Sequence, residues 1–154
     1  MLEVRIAGVV PSTLFALRGL ARNDPDFAAS LILESILRVR LLKSAVGANV
    51  SINARMLPGV VVVSVPGAVS FPFSVFGDRV SEAEFNKGRS EAAAALSKKS
   101  IVEQWLDAET YKTSVAGDAD AFQKVSLADV QRVADRLAKN PIVSVVLKPS
   151  PAAE

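Results

Sequence analysis

The chain contains no histidine and no cysteine. Without imidazole or thiolate it cannot supply, alone, the usual nitrogen and sulfur ligands of zinc, a histidine-assisted serine or cysteine nucleophile, or a redox thiol. Much of hydrolase chemistry is thereby excluded. The missing cysteine does not set the compartment, because secreted domains of this size fold without disulfides. Charge of one sign is also lacking: 18 Lys and Arg stand against 16 Asp and Glu, a net +2 with no block of like charges, so no nucleic-acid partner is expected. No apolar run approaches the roughly 18 residues of a membrane helix, since Phe27–Leu33 is broken by Glu34 and the run Val60, Val61, Val62, Val63 is short. The opening Met1-Leu2-Glu3-Val4-Arg5-Ile6 has no basic segment leading into an apolar one.

With 154 residues, half of them hydrophobic, the chain is expected to form one domain with a sizeable core. Leu2–Val10 is β-compatible and stops at Pro11-Ser12-Thr13. Asp24-Pro25-Asp26 combines an N-cap residue, a proline suited to the first helical position and an acid at the positive helix end. The helix it opens has Phe27, Ala28, Leu31, Ile32, Ile36, Leu37, Val39 and Leu42 on its apolar side. Glu34 and Arg38 form an i,i+4 pair on its wet side, and Gly47 ends the region. Ala48–Met56 alternates, with Val50, Ile52, Ala54 and Met56 on one face and Asn49, Ser51, Asn53 and Arg55 on the other, as a half-buried strand does. Leu57-Pro58-Gly59 turns it into the valine run, giving an antiparallel hairpin.

Pro66–Asp78 reads as an irregular connection whose Phe71, Phe73 and Phe76 pack inward. Ser81 and Glu84 form a capping box, and Val80 with Phe85 a hydrophobic staple. The helix they open buries Phe85, Gly88, Ala92 and Leu96. Ser100 with Glu103 opens another, carrying Trp105 and Leu106 towards Gly117. Ser126 with Asp129 opens the last, with Leu127, Val130, Val133, Ala134 and Leu137 at helical spacing. Asn140-Pro141 stops it before a strand over Ile142–Leu147. The order strand, long helix, two strands, three helices, strand predicts an α+β fold: a two-layer sandwich with a mainly antiparallel sheet covered on one face by helices.

These pieces together resemble one repeat domain of the inverzincin metallopeptidases (pitrilysin, insulinase and mitochondrial processing peptidase), of the type found as their non-catalytic half. The resemblance rests on Asn23-Asp24-Pro25-Asp26-Phe27-Ala28 before the long helix, on Gly47-Ala48-Asn49-Val50-Ser51-Ile52-Asn53-Ala54, on Val80-Ser81-Glu82-Ala83-Glu84-Phe85, and on Val125-Ser126-Leu127-Ala128-Asp129-Val130 with Val133-Ala134. It implies the LuxS/processing-peptidase-like fold and a zinc metalloendopeptidase parent. Active members carry H-x-x-E-H, two imidazoles for zinc and a glutamate that activates water, and a chain without histidine has no such motif.

The resemblance therefore implies a catalytically inert domain with no cofactor of its own. Its expected partners are a homologous zinc-bearing domain, with which it closes a chamber, and a peptide substrate. Where family members place an arginine and a tyrosine on the substrate, this sequence has Lys43 and Val50. Lysine keeps the charge without the bidentate fork, and valine has no donor. The polar strand face Asn49, Ser51, Asn53 and Arg55 is the candidate peptide-facing surface. Residues 2–148 are expected to be the single domain, an excerpt of a longer polypeptide, with 149–154 a flexible tail. The compartment is not set by the sequence, and exported bacterial relatives are compatible with a periplasmic parent. Two other readings stay open: a stand-alone interaction module of the same fold, and a different enzyme using Asp24 and Asp26, or Asp118 and Asp120, with magnesium or calcium.

Overall fold

A computed structural model describes residues 2–6, 9–67, 70 and 73–150. The elements run β1 (Leu2–Ile6), β2 (Ser12–Arg18), α1 (Phe27–Ser44), β3 (Asn49–Asn53), β4 (Val60–Pro66), α2 (Phe73–Gly77), α3 (Glu82–Ser97), α4 (Ile101–Tyr111), α5 (Val115–Lys124), α6 (Leu127–Ala138) and β5 (Ile142–Pro149). The five strands form one sheet in the order β1-β5-β2-β4-β3. Only β1 with β5 is parallel among these pairs, so the mainly antiparallel α+β architecture is as expected.

The strand register explains the two layers. Phe15 lies opposite Val63, Leu17 opposite Val61, and Val50 opposite Val63; all are buried in one core with Ile32, Leu33, Ile36, Leu37 and Leu41 of α1 and Val130, Val133 and Leu137 of α6. Full burial of each such side chain contributes roughly 1.5–3 kcal/mol of transfer free energy. The helix starts follow the capping boxes: the Ser81, Ser100 and Ser126 side chains each accept a backbone N–H three residues on, and Glu84, Glu103 and Asp129 reach back to the cap. Val80 and Phe85 are both buried. Gly88 lets α3 approach α1, for a Cβ there would stand 2.7 Å from Ile36 Cγ1 and 3.1 Å from Ile32 O.

Several elements depart from the sequence reading. β1 is Leu2–Ile6 with Val9 and Val10 outside any strand, and a further strand, β2, follows Pro11 where none was expected. β2 is central, between β4 and β5, and its outer residues Leu14 and Ala16 are as apolar as its inner ones, which erases the two-residue alternation. α1 begins at Phe27, after a turn in which the Asp24 carboxylate accepts the N–H of Asp26 at 3.0 Å. Leu41 fills the core, and Leu42 is 49% exposed.

β3 stops at Asn53, leaving Met56 exposed. Gly59 makes this turn possible: a Cβ there would stand 1.8 Å from Asn53 O. The connection after β4 contains the short helix α2, whose Phe76 is buried; Phe71 and the side chain of Phe73 lie outside the described residues. The helix opened by Ser100 ends at Lys112, in the left-handed region at φ 56°, and Ser114 caps a separate α5. β5 continues through Lys148 to Pro149, Ser150 N–H donates to Ile6 O, and residues 151–154 lie outside the described residues.

Candidate functional site

The helices cover one face of the sheet, so the other face presents side chains outward. Asn49 pairs in register with Ser64, Ser51 with Val62 and Asn53 with Val60; Leu14 and Ala16 of β2 then align with Val145 and Val143 of β5. Through β5 the same face extends to Leu2 and Val4 of β1. It is an apolar field with a polar margin at β3: Val143 is 62% and Leu2 59% exposed, Asn49 and Asn53 are exposed and Ser51 is half-buried. Of the four expected peptide-facing residues, Asn49, Ser51 and Asn53 share this face. Arg55 lies beyond the end of β3, and its carbonyl accepts the N–H of Arg22 at 2.8 Å.

Lys43 and Val50 do not meet on one surface. Val50 is fully buried on the helix side of β3. Lys43 is exposed in the last turn of α1, where its charge suits the negative helix end.

A cavity of about 610 Å³ opens between the start of α1, the end of β3 and the helices α3 to α5; Arg22, Glu34, Arg38, Arg55, Tyr111 and Thr113 are among its lining residues. Glu34 does pair with Arg38, at 2.7 Å, but it is not on a wet face. Its side chain is only 16% exposed, the Ile52 N–H hydrogen-bonds it, and burial holds its pKa above the ordinary carboxylate value. The pair therefore ties edge strand β3 to α1. The Arg22 guanidinium stacks 4.4 Å over the Phe27 ring and 5.6 Å over Tyr111, and Thr113 Oγ1 is buried without a hydrogen-bond partner.

Other charged groups fasten elements together. Asp24 takes a hydrogen bond from Arg136 and Asp26 from Arg132, fastening the start of α1 to α6; Asp26, with Asp129 beside it, raises the Arg132 pKa. Arg40, which local sequence patterns do not single out, donates to both carboxylate oxygens of Glu84 at 2.8 and 2.9 Å and to the carbonyls of Val75, Asp78 and Arg79. It holds Glu84 down to a pKa of about 2. Asp120 is exposed, and the side chain of Asp118 lies outside the described residues. Among the described residues, no group of three or more acidic side chains is gathered to hold a metal ion.

No family profile matches the chain, and no curated protein matches it by sequence. Solved structures do match. The inactive M16 peptidase domain structure from Pseudomonas fluorescens aligns with a TM-score of 0.72 at 17% identity, over 99% of this chain and 44% of that one. A protease from Helicobacter pylori gives 0.75 at 16%, over 96% and 44%. The inactive peptidase domain of a presumed zinc protease from Bordetella parapertussis gives 0.75 at 16%, over 97% of both chains. The chain thus spans less than half of the first two and nearly all of the third. Its fold is the one seen in the inactive domains of M16 peptidases.

Proposed function

We propose that this chain is the catalytically inert half of a zinc metallopeptidase pair. The reading rests on one observation: a sequence without histidine folds, over nearly its full length, like inactive peptidase domains. In this reading a homologous zinc-bearing domain, on the same polypeptide or an adjacent subunit, supplies the metal and its activated water. This domain closes the chamber. Its open sheet face is the chamber wall that holds an extended peptide: Asn49, Ser51 and Asn53 offer hydrogen bonds to peptide backbone, and Val62, Val143 and Val145 offer apolar contact to alternate side chains. Val50 has no part in transition-state stabilisation in this reading, because it is buried and has no donor.

The test is co-expression with the histidine-bearing polypeptide encoded beside it or in the same reading frame, followed by purification and metal analysis. The expected result is a stable complex holding one zinc, released by chelator, with none on this chain alone. Failure to associate, or a complex without zinc-dependent peptidase activity, would make the domain a stand-alone interaction module.

A further inference from the structure

Independently of any zinc-bearing partner, we propose that the cavity between α1, β3 and the helices α3 to α5 binds a carboxylate that carries an apolar body and a neighbouring amide, the chemistry of a peptide's C-terminal residue. Its volume of about 610 Å³ is that of a small-molecule site. The apolar lining comes from Phe27, Ala28, Leu31, Ile52, Ala92 and Phe122, contributed by α1, β3, α3 and α5. α4 forms a further wall: it contributes Asp107 and Tyr111, and none of its residues is buried. A helix that borders an apolar space without filling it leaves those contacts to a ligand.

The charges of the lining select an anion. Glu34 holds Arg38 at 2.7 Å, Asp107 holds Lys99 at 2.7 Å, and Asp24 is taken by Arg136 of α6. Arg22 is stacked on Phe27 and Tyr111. Arg55 lines the same cavity and is exposed, and among the described residues it has no ion pair. Its backbone is fixed against the approach to α1, where its carbonyl accepts the Arg22 N–H. A free guanidinium fork in that position matches one carboxylate. An amine finds no such receiver, because Asp24, Glu34 and Asp107 are all paired. Thr113 adds the second requirement: its Oγ1 is buried without a hydrogen-bond partner, a group that gains from any donor or acceptor reaching it. An amide next to the carboxylate satisfies it.

Calorimetric titration of the full chain with N-acetyl-phenylalanine tests this. The expected dissociation constant is on the order of 0.1–1 mM, with slowed amide hydrogen exchange at Ala54, Arg55 and Tyr111–Ser114. N-acetyl-phenylalaninamide, which lacks the charge, is expected to bind about ten-fold more weakly, and 3-phenylpropionate, which lacks the amide, several-fold more weakly. Arg55→Gln is expected to reproduce the loss seen with the uncharged amide, and Arg55→Lys to keep part of the affinity. Thr113→Val is expected to weaken binding several-fold while raising the melting temperature of the free chain, because it removes the unpartnered hydroxyl. The peptide Ala-Ala-Ala-Phe separates the two sources of this chemistry: affinity equal to that of N-acetyl-phenylalanine identifies the end of a longer peptide, and its exclusion identifies a free acylated amino acid. No saturable binding, equal binding of phenethylamine, or an affinity indifferent to both Arg55→Gln and Thr113→Val would overturn the proposal.

Discussion

Arg40 shows how one side chain can join elements that no local pattern connects. Its guanidinium bridges Glu84 of α3, Val75 of α2 and the Asp78 and Arg79 carbonyls between them, and the side chain is only 12% exposed. Arg40→Ala removes the guanidinium from those carbonyls and leaves Glu84 with its Ser81 donors alone, and is expected to lower stability by about 2 kcal/mol in urea denaturation. The pH dependence follows from Glu84. In the unfolded chain it protonates near 4.5, but in the folded chain only at about 2. Unfolding between those values takes up a proton, so this contribution is fully present above pH 4.5 and is lost as pH falls towards 2. The urea midpoint of the native protein is expected to fall more steeply over that window than that of Glu84→Gln. The capping role of Glu84 was legible from Ser81 three residues earlier; its partner 44 positions away was not. Glu34 was readable as a partner of Arg38, but its burial against β3 depends on tertiary packing that spacing does not encode.

At the level of elements, legibility followed the strength of local chemistry. Three helix starts carried Ser with an acid three residues on, and all three form reciprocal boxes; replacing Ser81 by Ala is expected to cost about 1 kcal/mol. The β3–β4 hairpin was legible from alternation and from Pro58-Gly59. β2 was not, because a central strand with apolar residues on both faces has no polar alternation to detect. The break after α4 was hidden for another reason: Lys112 takes a left-handed conformation at φ 56° that is normally read from glycine. Lys112→Gly is therefore expected to raise thermal stability, by about 0.5–1 kcal/mol. Gly88→Ala goes the other way. Alanine gains roughly 1 kcal/mol in helix propensity, but its Cβ would collide with Ile36 at 2.7 Å. The net expectation is a loss of about 1–2 kcal/mol, measured by thermal unfolding.

For the whole molecule, the missing histidines and the order of capping boxes, turn and hairpin were sufficient to read both the resemblance and the α+β layering. The candidate site was legible in part: Asn49, Ser51 and Asn53 do share a face, but the apolar field beside them is assembled from β1, β2 and β5, which only the sheet order brings together. Among the described residues no helix is long and apolar enough to cross a membrane, and the proposed function makes the uncovered sheet face a wall for peptide. Val143→Glu places a charge on that wall at a position already 62% exposed. It is expected to leave folding intact and raise the KM of the reconstituted pair, measured by steady-state kinetics. The most direct measurement is zinc-dependent turnover of an extended peptide by the histidine-bearing partner, with and without this domain. The account predicts no turnover by this domain alone, little by the partner alone, and turnover abolished by chelator when the two are combined. Equal turnover by the partner alone and by the pair would contradict it.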